Sequence, residues 1–206
     1  MDYLTFEKLP AAIQNHVTYE DIGSGQILFQ QEEATKSIYF LIEGKLRLIS
    51  LTQERIINYY FIQPGESVAE IALFADNYFC TAIADLPSRL AVIDKEVVSQ
   101  ALVDYPDFAN LYMNQLTYRF KTVKTLLNLR SIRSARERLL QYLTRQVEPS
   151  SQTLILQRSL KDIALELGLS AETLSRTLSS LQKDGVITRK QRSITLNEDW
   201  LTIENE

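Results

Sequence analysis

The strongest constraint on the fold of this chain is a change of hydrophobic period at Tyr105-Pro106-Asp107. Before that point apolar residues alternate or fall in short runs separated by Gly23, Gly25, Pro64-Gly65 and Pro87; after it they recur at helical spacing. Alternation buries one face of a strand, whereas a spacing of three and four buries one stripe of a helix, so one repeating architecture cannot serve both halves. The fold class that follows is α+β.

The first half offers QILF, SIYFLIEGKLRLIS, RIINYYFI, CTAIA and RLAVI as strand candidates. In the second of these, Ile38, Phe40 and Ile42 share a face, the pattern breaks at Glu43-Gly44, and Leu46 and Leu48 resume it, which predicts two strands around a tight turn. Short strands punctuated this regularly predict an N-terminal β-barrel of jelly-roll type, assigned to residues 1–105 as a sensor domain.

Pro106 and Asp107 suit the first turn of a helix, Pro because no N–H is needed there and Asp because of the helix dipole. Behind them Ala109, Met113, Leu116, Phe120, Val123 and Leu127 lie at alternating spacings of four and three, the seam along which two helices bury a shared stripe. Residues 106–132 are therefore expected to form a dimerisation helix and the chain a homodimer; the alternative is a helix that packs its stripe on its own barrel.

Residues 133–206 read as helices followed by a small hairpin. SARERLLQYLTRQV turns Leu139, Leu140 and Leu143 inward, and a loop is expected over Glu148-Pro149-Ser150-Ser151. In SLKDIALELGLSAETLSRTLSSLQKDGVI, Ser159 and Asp162 form a capping-box start and Gly168 ends the first short helix. Ser170 caps a second, whose inward face is Leu174, Leu178 and Leu181 and whose stop is Asp184-Gly185. Two short helices joined by a Gly-containing turn predict a helix-turn-helix.

The outward face of the second helix carries Glu172, Ser175, Arg176 and Ser179. Arg can bond the O6 and N7 of guanine bidentately, Glu accepts from the cytosine amine, and Ser serves several bases, so Glu172, Ser175 and Arg176 are the expected base readers. VITRKQRSITL then predicts a hairpin with Arg189, Lys190 and Arg192 at its tip, a wing whose cations lie on the phosphates. Ser170, Thr173 and Ser179 are assigned to the DNA backbone with them.

Charge supports double-stranded DNA as the partner. Residues 1–105 hold 7 Lys and Arg against 15 Asp and Glu, whereas 106–192 hold 15 against 7, leaving four acids in the tail. A basic segment suits a polyanion, and an acidic remainder is kept off the phosphates. The single cysteine, Cys80, excludes an internal disulfide and any metal centre that needs several thiolates from one chain. With one histidine and no Gly-rich phosphate loop there is no catalytic constellation, so no enzyme is expected. A start without a signal peptide and the lack of a long uncharged apolar run predict a cytoplasmic protein with no membrane partner.

Barrel, seam helix and helix-turn-helix in this order resemble the Crp/Fnr family of bacterial transcription regulators over nearly the whole chain. The segments that carry the likeness are IYFLIEGKLRLI, AEIALF after Pro64-Gly65, the YPDF helix start, ARERLLQYL and the LKDIALELGLSAETLSRTLSSLQKDGVI block. The resemblance implies a cyclic-nucleotide-binding-like barrel, a dimer through the central helix, a winged helix that reads a palindrome, and RNA polymerase as a partner. Glu172-x-x-Ser175-Arg176 looks like the Fnr branch, which reads TTGAT-type half-sites; the Crp branch has an Arg where this chain has Ala171. An inverted repeat with TGA-containing half-sites is implied.

The family's phosphate cassette resembles G-E-L followed by an Arg-Ser pair, and the matching residues here are Ala69, Glu70, Ile71, then Cys80 and Thr81. Neutral Cys80 cannot replace the arginine that pairs with the cyclic phosphate. Val123 and Lys124 stand where the family has the Thr and Ser that touch adenine, so cyclic AMP is not expected as the effector. Glu70 could hold a ribose-like diol and Lys124 or Arg119 an anionic group; the alternative is a pocket filled by its own side chains, with no effector. The iron–sulfur branch needs a cysteine cluster that is absent, and the haem branch would have only His16 and Cys80 to use, so no cofactor is expected. A different reading is a signalling or scaffold module whose barrel binds a small ligand and whose C-terminal helices dock a protein, against which the basic hairpin and the Glu/Ser/Arg face argue.

Overall fold

The computed structural model describes residues 4–52, 56–147, 151–156 and 158–197. Most of the loop expected at 148–151, and the acidic residues of the tail, lie outside the described residues. The chain divides into two compact units, Met1–Val123 and Lys124–Glu206.

The first unit opens with a 3-10 turn, Phe6–Lys8, and a short helix α1 (Ala11–Gln14). The strands β1 (Thr18–Ile22), β2 (Ile27–Phe29), β3 (Ser37–Leu51), β4 (Ile56–Ile62), β5 (Ser67–Val68) and β6 (Thr81–Asp94) follow. They form one antiparallel six-stranded sheet of jelly-roll type, ordered β1-β6-β3-β4 with β2 on β6 and β5 on β3. Among the described residues its path does not close into a barrel.

Two sequence expectations are corrected here. SIYFLIEGKLRLIS is the single strand β3, and CTAIA and RLAVI belong to the single strand β6, which runs through Pro87. The two pair along their length, with the register slipping between Leu41 and Leu46. Gly44 sits in that slip at φ +96, and a Cβ there would run into the Pro87 carbonyl and the Ser88 backbone. The supposed turn is thus a bulge, which also gives Pro87 a place where its missing N–H is tolerated. The bulge changes the strand's phase. Ile38, Phe40 and Ile42 face a core with Ile13, Val98, Phe108 and Tyr112, whereas Leu46 and Leu48, in step with them in sequence, join Tyr39 and Leu41 inside the sheet.

Helix α2 (Lys95–Asp104), which the strand pattern did not reveal, buries Val98 and Ala101 against that first core. Helix α3 (Pro106–Ser131) follows, beginning at the proline as expected. Phe108 and Tyr112 belong to the first unit's core, and Leu129 near its other end to the core of the second unit. The compact units therefore divide within α3, not at the element boundary after it.

The second unit holds α4 (Ala135–Gln146), β7 (Thr153–Ile155), α5 (Leu160–Leu167), α6 (Ala171–Lys183), β8 (Ile187–Lys190) and β9 (Ser193–Leu196). A three-stranded sheet, β7-β9-β8, adds a strand that the sequence pattern missed. Leu139, Leu143, Ile163, Leu167, Leu174, Leu178, Leu181 and Ile194 share one core. Fully burying each such side chain contributes about 1.5–3 kcal/mol.

Candidate nucleic-acid interface and sensor pocket

Local chemistry places α5 and α6 as expected. The Ser159 hydroxyl accepts from the Asp162 N–H while the Asp162 carboxylate accepts from the Ser159 N–H, a reciprocal cap. Gly168 ends α5 in the left-handed conformation, φ +65, and lets the Leu169 N–H return to the Ala164 carbonyl at 2.8 Å. Ser170 caps α6, accepting from the Thr173 N–H at 3.0 Å. The α6 apolar face, Leu174, Leu178 and Leu181, is buried, so its opposite face is turned outward.

On that face Glu172, Ser175, Arg176 and Ser179 are exposed. Arg176 Nη2 lies 3.8 Å from Glu172 Oε1 one turn earlier, an exposed pair that holds the two heads side by side. The Ser179 hydroxyl donates to the Ser175 carbonyl at 3.1 Å, and Thr173 is half-buried. Strands β8 and β9 pair from Ile187↔Leu196 to Lys190↔Ser193, leaving Gln191 and Arg192 as the turn, with Gln191 at φ +51. Lys190 and Arg192 are exposed at this tip and Arg189 is half-buried. Arg136 of α4 bonds Asp184 Oδ2 at 2.7 Å and Ser180 Oγ at 3.2 Å, bracing the far end of α6.

Helix α3 has two stripes. Met113, Phe120, Val123 and Leu127 of the predicted seam are exposed at 59%, 70%, 46% and 67%, which no isolated helix face gains from in water. Leu116 is half-buried against the first core, and Ala109 is also half-buried. The second stripe, Phe108, Tyr112, Gln115 and Arg119, is buried; apolar periodicity missed half of it because Gln115 and Arg119 are polar.

Those two polar residues meet the sensor cassette. Glu70 opens a 3-10 turn, Glu70–Phe74, and is buried. Its Oε1 accepts from Ser67 Oγ at 2.6 Å, Gln115 Nε2 at 3.1 Å and Arg119 Nε at 3.1 Å. Arg119 Nη2 also donates to the Ser67 carbonyl at 2.7 Å, and Tyr112 Oη to the Glu70 carbonyl at 2.5 Å. Burial works against the guanidinium charge, but Glu70, Tyr60 and Glu66 together outweigh it and keep Arg119 more firmly protonated than a free arginine. Glu70 and Arg119 thus bond each other, the arrangement of the alternative in which the pocket is filled by its own side chains.

Of the remaining pocket candidates, Cys80 feels the Glu70 charge. Ile71 is 54% exposed, the buried Thr81 hydroxyl accepts from the Gln31 N–H at 3.0 Å, and Val123 and Lys124 are exposed. Cys80 is partly buried, and desolvation, with Glu70 adding to it, pushes its thiol up to about 11, so it is neutral. Ala69, where the family has glycine, sits in the left-handed region at φ +69. Among the described residues no buried side-chain nitrogen or oxygen lacks a partner, no group of three His, Cys, Asp or Glu is placed to hold a metal, and no helix is long and apolar enough to cross a membrane.

Residues 20–105 match the cyclic nucleotide-binding domain family, and residues 137–201 match the Crp-like helix-turn-helix domain. A sensor fold of this kind joined to such a helix-turn-helix defines a class, the DNA-binding transcription regulators with a nucleotide-binding-type domain. The regulatory protein HlyX of Actinobacillus pleuropneumoniae is 28% identical over 192 residues, spanning 88% of this chain and 79% of HlyX. The fumarate and nitrate reduction regulatory protein of Escherichia coli is 27% identical, spanning 87% of this chain and 75% of that protein. FixK2 from Bradyrhizobium japonicum superposes with a TM-score of 0.68 at 20% identity, over 92% of this chain and 96% of FixK2. A CooA mutant from Carboxydothermus hydrogenoformans gives 0.75 at 19%, over 95% of this chain and 89% of that one; both share the fold. The chain belongs to the Crp/Fnr family and is a transcription regulator of that type, as its relatives are, and not an enzyme.

Proposed function

We propose that the chain acts as a homodimer that reads an inverted repeat with TGA-containing, TTGAT-like half-sites, and that it does so without cyclic AMP. The observation that carries this reading is the exposed row Glu172, Ser175 and Arg176 on the outer face of α6, the second helix of the turn. That helix is the one that enters the major groove in such motifs. Lys190 and Arg192 at the hairpin tip, with Arg189, Ser170, Thr173 and Ser179, then serve the phosphates.

The exposed seam of Met113, Phe120, Val123 and Leu127 supplies the dimer surface. Against cyclic AMP stand a neutral thiol at Cys80, where the phosphate needs a cation, and a Glu70 already bonded by Arg119. The regulator works with no effector or with one of different chemistry, and RNA polymerase is its partner at the promoter.

Selection of sites from a random duplex pool tests this. The expected result is salt-sensitive binding to an inverted repeat whose half-site centres lie about 34 Å apart. Arg176→Ala should cost about 1–3 kcal/mol and relax the choice at one guanine, whereas Arg192→Ala weakens all sequences alike. Unchanged selected sites for Arg176→Ala would show that this face does not read bases.

A further inference from the structure

The last four carbonyls of a helix have no partner within it. In α5 these belong to Ala164, Leu165, Glu166 and Leu167. The backbone of Gly168 and Leu169 serves Leu165 and Ala164. The rest of the work falls to two arginines from elsewhere in the same unit. Arg130, in the last turn of α3, donates through Nε to the Glu166 carbonyl at 2.8 Å and through Nη2 to the Leu165 carbonyl at 3.3 Å. Arg138 of α4 donates through Nη1 to the Leu167 carbonyl at 2.8 Å.

The other side of the Arg138 fork reaches the link between α3 and α4, where Nε and Nη2 donate to the Ile132 carbonyl at 3.0 and 2.5 Å. Both side chains also lie over Gly168, whose absent Cβ would be 3.7 Å from Arg130 Cγ and 3.8 Å from Arg138 Nη1. Charge-assisted bonds of this kind are roughly twice as strong as neutral ones, and the negative end of a helix favours the cations. Leu129 is buried in the same core, so the final turn of α3, the link and the turn between α5 and α6 are fastened at several points.

We infer that Arg130 and Arg138 are positioning residues that set the permitted spacing between half-sites. The inference rests on the homodimeric, inverted-repeat reading. The seam runs along α3, and these two side chains fix the turn that aims α6 to the last turn of that helix. A rigid joint allows one separation of the two reading helices, whereas a loose joint allows several. Changing the spacer by one base pair moves a half-site by about 3.4 Å along the duplex and also rotates it, so a rigid reader must reject it.

The test measures the affinity of the full-length chain for inverted repeats whose spacer is lengthened or shortened by one and two base pairs. The wild type should prefer one spacer by about ten- to hundredfold, the size of a single mismatch. Arg130→Ala and Arg138→Lys should reduce that preference severalfold while the half-site sequence selected from a random pool stays the same. Arg138→Lys retains stem and charge but not the planar fork that spans the Ile132 and Leu167 carbonyls, so it isolates the geometry from the charge. A joint that serves stability only would lower affinity evenly across spacers and leave the ratio intact, and that result overturns the inference. A wild type without any preferred inverted repeat would instead bring down the dimeric reading on which it rests.

Discussion

Replacing Arg119 by Met tests whether the sensor cassette is held by its own ion pair. The two side chains are 7% and 6% exposed, so the change removes a cation from a nearly dry pair and leaves the Glu70 carboxylate in place. Breaking a buried pair from one side costs about 3–5 kcal/mol. Glu70 Oε1 keeps the Ser67 hydroxyl and the Gln115 amide as donors, which puts the loss near the lower bound, about 3 kcal/mol. The Ser67 carbonyl also loses its 2.7 Å donor. Adding Glu70→Gln removes the stranded charge and should recover about 1–2 kcal/mol of that loss. Calorimetry and urea denaturation followed by circular dichroism read both: a fall of about 10 °C in Tm for the single variant, and a visibly smaller fall for the double. A loss below about 1 kcal/mol in Arg119→Met, or a double variant as unstable as the sum of the two single changes, would refute a self-contained pair.

Phe120→Asp should leave each chain folded, because the ring is 70% exposed, yet lower the molar mass in light scattering to that of a monomer. Two lost rings across a two-fold axis amount to about 3 kcal/mol or more, over a hundredfold in Kd, and an unchanged dimer speaks against the seam. Ala69→Gly should stabilise the first unit by about 1 kcal/mol by relieving the left-handed Ala69 backbone; a lower Tm would contradict that conformation. Cys80, with its thiol pushed up to about 11, should react with iodoacetamide at pH 8 on the order of a hundredfold more slowly than a free cysteine, and a rate equal to the free thiol's would show that the site is not desolvated.

What could be read in advance was local. The capping box of Ser159 and Asp162, the left-handed Gly168 and the Ser170 cap all depend on residues within four positions of one another, so the sequence pattern alone located α5, α6 and the outward row Glu172, Ser175 and Arg176. Helix α2 is also legible in principle, since Val98 and Ala101 are three apart behind Asp94, but its short apolar stripe stands between two stronger patterns. The pairing of Gly44 with the Pro87 neighbourhood was not legible, because turn and bulge share the same residue preferences and only the partner strand distinguishes them.

The sequence by itself determined the order of domains, the apolar seam on α3 and the residue types offered to DNA, because periodicity and caps are set by near neighbours. Tertiary structure decided that Arg119 faces Glu70, and that Arg130 and Arg138 close the end of α5. Those bonds join residues 29 to 49 positions apart, and a charged side chain looks the same in a sequence whether solvent or a buried partner will receive it.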